Sequence, residues 1–139
     1  MSKQTKNKSG SKKPNKKLYA NQNQILKTVI DLLRKDIPKH AEAFLFGSLA
    51  ELKFGKYMKR YKNQEGSDID VIVFINKKDI PKHWKYLNVS KEWWDLYRGI
   101  KIKINSIIHK TDILVVKKGF EKIARQRIIE KGWKTIKIQ

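Results

Sequence analysis

The sequence predicts an α/β (α+β) fold, in which a small mixed sheet is flanked by helices. Two observations indicate this class. Short apolar runs of strand length lie between two segments whose apolar residues recur at helical spacing. The runs cover 43–46, 67–74, 100–104 and 111–116, and the helical segments begin at Ile25 and Phe120. A length of 139 residues with 40% hydrophobic residues suits one domain with a single core.

We expect residues 1–17 to be a disordered basic tail and residues 18–139 to form the domain. The tail holds seven lysines and no acidic residue, so it cannot bury a core. Two uses of this segment stay open, a solubilising tail or an arm that contacts RNA or DNA. From Ile25 the helical spacing predicts a helix that packs on the sheet, and Pro38 ends it.

A glycine-serine pair follows the first predicted strand of the sheet, which covers Ala43 to Phe46. Gly47 permits a tight turn and a close approach of the backbone to a ligand. Ser48 can cap a short helix after that turn, and the free N–H groups at a helix start bind phosphate.

Two acidic residues stand on the next predicted strand, in Ser67-Asp68-Ile69-Asp70-Val71. Side chains alternate faces along a strand, so Asp68 and Asp70 point the same way. Two adjacent carboxylates repel each other and resist burial unless a cation, a shared proton or water compensates them. Magnesium suits such a pair, because it takes its other ligands from water and substrate phosphates. The alternative is a turn in which the polar side chains bond only the backbone.

This combination resembles the polymerase-β-type nucleotidyltransferases, especially their minimal single-domain members. The resemblance covers Ala43 to Val116 and implies a palm-like nucleotidyltransferase fold. It implies transfer of a nucleoside monophosphate from a nucleoside triphosphate (NTP) to an acceptor hydroxyl, with two Mg²⁺ ions that Mn²⁺ could replace. Members of the family hold the metals with three carboxylates, the third on a later strand. The site residues implied for this chain are Asp68, Asp70 and Asp112 as catalytic metal ligands, and Gly47 and Ser48 for the nucleotide phosphates.

Asp112 is the acid that opens the later apolar run, Asp112 to Val116. The alternative for it is a turn residue or the partner of a nearby lysine. The chain differs from the minimal members in the longer segment 49–66 between the two halves of the motif, where Lys53 or Lys56 could help to hold phosphates.

The three histidines, His40, His83 and His109, share no spacing that predicts a metal site. Histidine also favours zinc and similar metals over magnesium. We therefore expect each of them to be a surface or structural histidine.

The aromatic stretch after the acidic strand predicts a helix from Ser90 to Tyr97, ended by Gly99. Its aromatic side chains either pack in the core or form a platform that stacks a base. Alternation in Ile100 to Ile104 predicts a half-exposed strand that pairs with the Asp112 strand. A final helix starts at Phe120, and residues 133–139 add an edge strand.

The chain has 33 basic and 13 acidic residues, a net charge of +20, which favours a polyanionic partner such as RNA or another nucleic acid. A lysine-rich composition without such a partner is the alternative. Nothing resembles a signal peptide or a membrane span, and there is no cysteine, so we expect a cytoplasmic protein without a membrane partner.

The acceptor stays open between nucleic acid, protein and small molecule, since catalytic residues look alike across the family. Small size resembles members that act as the antitoxin half of a toxin-antitoxin pair, which implies a protein partner. The non-enzymatic alternative is a basic nucleic-acid-binding module, or an antitoxin-like partner protein, that keeps the fold.

Overall fold

The computed structural model describes residues 13–139, which form a mixed α+β arrangement of two sheets and two helices. The strands are β1 Lys16–Leu18, β2 Glu42–Phe46, β3 Gly55–Tyr61, β4 Gln64–Gly66, β5 Ile69–Phe74, β6 Lys85–Ser90, β7 Trp94–Ile104, β8 Ile107–Val116 and β9 Ile136–Lys137. The helices are α1 Gln22–Asp36 and α2 Glu121–Glu130, and Lys77–Asp79 forms a turn of 3-10 helix. The predicted α/β (α+β) class, with a small mixed sheet and flanking helices, is confirmed.

The larger sheet has six strands in the order β6-β7-β8-β5-β2-β9. Its central neighbours β5 and β8 run parallel, and the other pairs are antiparallel. Side chains of β5 are buried on both faces, because α1 covers Val71 and Val73 while α2 covers Ile72. Both helices and the edge strand β9 lie where the sequence predicts them.

The smaller sheet has three strands in the order β1-β3-β4. Segment 49–66, the insertion between the two halves of the motif, supplies β3 and β4 of this sheet. The strand β1 begins at Lys16, before the predicted start of the domain at Leu18. Residues 1–12 of the predicted basic tail lie outside the described residues.

The helix predicted from Ser90 to Tyr97 is wrong. This stretch contains the turn of an antiparallel β6–β7 hairpin, in which the Lys91 N–H donates to the Trp94 carbonyl over 2.8 Å. Alternation decides the structure, since Trp94 contacts the core beside α2 and Tyr97 contacts the core beside α1. Gly99, which suggested a helix end, lies inside β7 at a shift in the β7–β8 register.

The short helix predicted after Ser48 is also wrong, because residues 48–52 form consecutive turns. The Lys53 N–H donates to the Ser48 carbonyl over 2.8 Å. Nucleating a helix is unfavourable, and only further turns compensate for that cost. Because β3 already begins at Gly55, the segment is too short to add those turns.

Core packing is the observed use of part of the aromatic stretch. Trp84 and Trp93 are buried, so core packing is confirmed for them, while Tyr86 is 40% exposed on the edge strand β6. None of the described helices is long and apolar enough to cross a membrane.

Candidate metal centre

Three aspartates converge at the amino-terminal end of β5. In the parallel β5–β8 pair, Asp70 lies directly opposite Asp112, and Asp68 precedes Asp70 by two positions on the same chain. One carboxylate oxygen from each of the three lies within 4.8 Å of the others. The structure thus brings together the three acids that the sequence analysis named as metal ligands, although 42 positions (112 − 70) separate Asp70 from Asp112.

Two carboxylates of this cluster, those of Asp70 and Asp112, resist ionisation. Burial raises the pKa of Asp70 to about 7, and the charges of Asp68 and Asp112 act in the same direction. Burial and the Asp68 charge also raise the pKa of Asp112, against the opposing effect of Arg98. The basic residues near the cluster therefore do not offset burial and the mutual repulsion of the three carboxylates.

Arg98 is a site residue that the sequence analysis missed. Its Nε donates to Asp112 Oδ1 over 2.9 Å from the neighbouring strand β7. A bulge between Arg98 and Lys101 shifts the β7–β8 register by one residue next to this contact. Gly99 within a strand-like sequence was the available signal for that bulge.

Gly47 lies against the Asp70 carboxylate at the end of β2. Its φ is +79°, and a Cβ there would lie 2.3 Å from Asp70 Oδ2. Both the left-handed backbone and the contact therefore require glycine. Beyond it, the N–H groups of Ser48, Leu49 and Ala50 donate no hydrogen bond to any described residue.

Lys16 on β1 is the second residue that sequence reasoning missed. Its ammonium donates to the Lys53 carbonyl over 2.9 Å, at the end of the Gly47–Lys53 turn. Burial lowers the pKa of Lys16, and Asp70 is near enough to act in the opposite direction.

Strand register separates Lys16 from the lysines named in the sequence analysis. Lys16 pairs with Tyr57, and the pKa of Tyr57, raised to about 12 mainly by burial, also responds to Asp68 and Asp70. Lys56 pairs instead with Lys17, on the opposite face of the small sheet. Lys16 therefore faces the carboxylates and Lys56 does not, while Lys53 contributes its carbonyl.

The small sheet also positions Asp68. Gln64 of β4 donates from Nε2 to Asp68 Oδ1 over 3.0 Å. Next to it, the Ser67 N–H and hydroxyl both donate to the Gly55 carbonyl over 3.0 Å. The inserted segment thus holds the loop that carries the first acid.

His109 is structural, as expected. It is fully buried, its Nδ1 lies 2.8 Å from the Ser67 carbonyl, and its Nε2 lies 2.8 Å from the Tyr19 hydroxyl. A carbonyl can only accept, so Nδ1 carries the proton and Nε2 accepts from Tyr19. His40 and His83 pair with Asp79 and Asp36 away from the cluster.

The donor set fits a hard divalent cation. All three groups are carboxylates, the oxygen ligands that Mg²⁺ and Mn²⁺ prefer over nitrogen or sulfur. The raised pKa of Asp70 also indicates that a bound cation would favour the ionised form of this carboxylate. Asp68, Asp70 and Asp112 could therefore hold the metal. The Gln64 amide fixes the orientation of Asp68, and the Arg98 guanidinium fixes that of Asp112.

No protein-family model and no curated protein matches the chain. Among solved structures, the Cid1 poly(U) polymerase with MgGTP bound matches at 18% identity and a TM-score of 0.39, covering 72% of this chain and 34% of that chain. A mutant of the same polymerase bound to MgATP matches at 13% identity and a TM-score of 0.38, with the same coverage. The chain thus spans about a third of the length of these polymerase chains. A likeness at this level assigns neither an activity nor a site residue to this chain.

Proposed function

We propose that this protein is a metal-dependent nucleotidyltransferase that moves a nucleoside monophosphate from an NTP to an acceptor hydroxyl. The observation that carries the proposal is the convergence of Asp68, Asp70 and Asp112 beside the positive-φ turn at Gly47. A carboxylate cluster for a divalent cation, next to backbone N–H groups without a partner among residues 13–139, suits a substrate that brings both metal and phosphate.

In the reaction, the acceptor oxygen forms a bond to the α-phosphorus of the NTP. The bond from that phosphorus to the oxygen bridging to the β-phosphate breaks, and pyrophosphate leaves with the bonding electrons. Two Mg²⁺ ions, when bound, would stabilise the negative charge on the attacking and leaving oxygens. Asp112, whose carboxylate accepts from Arg98, would accept the proton of the acceptor hydroxyl.

The phosphate contacts come from the turn and from β1. Ser48, with the N–H groups of Leu49 and Ala50 that donate to no described residue, would bind the β- and γ-phosphates. Gly47 lets the backbone approach them. Lys16 lies at the other end of the same turn, where its ammonium donates to the Lys53 carbonyl. It would bind the phosphate charge of the NTP in the bound substrate as well as during the reaction.

Nucleic acid is the acceptor that the charge favours. The net charge of +20 attracts a polyanion by counterion release, and only 13 acidic residues oppose it. A protein acceptor, in the manner of a toxin-antitoxin pair, is the other outcome of the test.

The test is incubation with each α-³²P-labelled NTP and Mg²⁺ in the presence of total RNA or a cell lysate. Product whose label is released by nuclease supports nucleic acid as the acceptor, and release by protease supports a protein. Asp68→Ala and Asp70→Asn should each abolish labelling, while Asp31→Asn on α1 is the matched control. Labelling that persists in Asp70→Asn would refute the metal-site assignment.

A further inference from the structure

A cleft of about 750 Å³ lies at the opposite end of the parallel strands from the metal centre. It opens at the carboxyl ends of β5 and β8, where Phe74 and Val116 are the last strand residues. Asp70 precedes Phe74 by four positions, which corresponds to about 13 Å along an extended strand. The cleft is therefore separate from the carboxylate cluster.

The cleft forms where the two parallel strands send their connections in opposite directions. After β5 the chain crosses the α1 side of the sheet, where Ile75, Ile80 and Trp84 join the α1 core. After β8 the chain enters α2, which packs on the other face through Ala124. Adjacent connections that diverge in this way leave a crevice outside the carboxyl ends of the strands, a common place for ligands in α/β proteins.

Four lysines line this crevice, two from each connection. Lys77 and Lys78 follow β5, and Lys117 and Lys118 follow β8. Among residues 13–139, none of the four makes an ion pair with a carboxylate. These four lysines outnumber the two carboxylates that line the concavity, so its net positive charge would attract an anion.

The cleft also contains two carboxylates and an aromatic ring. The Glu121 carboxylate is engaged, because it accepts the Gly119 N–H over 3.1 Å at the start of α2. Asp95 lies opposite Val115 on the strand that carries Tyr97. Half-buried Tyr97 lines the cleft, and its ring centroid lies 5.4 Å from that of Tyr86. Positive charge thus borders a partly apolar wall.

We propose that this cleft binds a nucleoside phosphate, with its phosphates between the two lysine pairs and its base against Tyr97. The volume falls within the range of small-molecule sites, about 300–1,000 Å³, and exceeds what a single phosphate ion needs. Lysine supplies the point charges that bind phosphate, and the aromatic ring supplies a stacking surface for a base. The proposal does not depend on the proposed transferase activity.

The test is an NMR titration of ¹⁵N-labelled protein with ADP in EDTA, which keeps divalent cations away from the carboxylate cluster. Saturable shifts should occur at the amides of 75–78 and 117–119, whereas the amides of 47–53 should stay nearly unchanged. Lys77→Ser with Lys117→Ser should weaken this binding about tenfold, as expected for the loss of two charge-assisted contacts. The control is Lys103→Ser with Lys134→Ser, two exposed lysines outside the cleft.

A second arm compares ADP with inorganic phosphate and with a short oligoribonucleotide. ADP should bind more tightly than phosphate, and Tyr97→Leu should weaken ADP alone, since leucine keeps the core contact but loses the stacking ring. Equal affinity for ADP and phosphate would overturn the assignment of a nucleoside. Two outcomes would overturn the site and indicate general attraction to a basic surface. One is that the oligoribonucleotide binds but ADP does not. The other is that the cleft variant and the control variant lose equal affinity for ADP.

Discussion

Replacing Asp70 with asparagine should stabilise the protein when no divalent cation is present. Burial raises the pKa of Asp70 from 3.8 to about 7 in the folded state. Below pH 3.8 the group is protonated in both states and contributes nothing. As the pH rises from 3.8 through 7, the unfolded chain loses its proton first, so the free energy of unfolding falls. Above pH 7 the whole cost is present, and asparagine removes it.

The size of the effect follows from the shift in pKa. About three units at about 1.4 kcal/mol each give an upper bound of about 4 kcal/mol. Relaxation and water around the half-buried carboxylate reduce this to about 2–3 kcal/mol. For a domain of this size, such a gain raises the melting temperature by about 10 °C. At pH 5 only about a third of this gain in stability should remain, because the cost of ionising Asp70 accumulates between pH 3.8 and pH 7.

The assay is thermal unfolding followed by circular dichroism at pH 5 and pH 8, in EDTA and in Mg²⁺. In EDTA at pH 8, Asp70→Asn should melt above the wild type, and Asp31→Asn, an exposed control on α1, should change stability by less than about 0.5 kcal/mol. Mg²⁺ should stabilise the wild type and the control but not Asp70→Asn. A variant that melts below the wild type at pH 8 in EDTA, or that gains equally from Mg²⁺, would refute the reasoning.

Three further changes test the surroundings of the cluster. Gly47→Ala should lose the Mg²⁺-induced rise in melting temperature, because its Cβ would lie 2.3 Å from the Asp70 carboxylate. The control is Gly119→Ala, at a glycine with φ +87° and open space around it. That variant should lose only about 1 kcal/mol of stability to backbone strain and keep the rise. Lys16→Met should raise the KM for NTP more than it lowers kcat in steady-state kinetics. Lys17→Met, on the opposite face of β1, should change neither constant. If the two variants change the constants equally, Lys16 is not a phosphate contact. His109→Gln should cost about 2 kcal/mol at pH 8 in denaturant unfolding. Burial lowers the pKa of His109 below 6.5, so the wild type loses stability as the pH falls under 6.5. The difference in free energy of unfolding between the wild type and His109→Gln should therefore narrow at acidic pH. A difference that widens there would contradict a buried neutral ring.

Local pattern accounts for the elements that the sequence predicts correctly. Helical spacing from Ile25 and a proline at 38 define α1, and the alternation in Ile100 to Ile104 defines the outer part of β7. The wrong prediction of a helix from Ser90 to Tyr97 arises because tertiary pairing overrides the local pattern there. Its aromatic residues fit a helix face by spacing, but pairing with β8 divides them between two cores.

The sequence by itself determined the chemistry of the candidate centre. Two acids two positions apart on a strand lie on the same face, because a strand fixes the direction of its side chains. Gly47 lies beside them only through the antiparallel pairing of β2 with β5. Tertiary structure decided which distant residues complete the centre. Asp112 faces Asp70 only through the parallel pairing of β5 with β8, and Arg98 reaches Asp112 only through a bulge in β7.

The same holds for Lys16 and for the lysine-lined cleft. Among the many lysines of the chain, composition cannot distinguish Lys16 from Lys17, yet one faces the carboxylates and its neighbour faces away. The cleft exists because adjacent strands send their connections to opposite sides of the sheet, a property of strand order. Strand order is set by contacts between residues far apart in the chain, and for that reason local sequence patterns do not encode it.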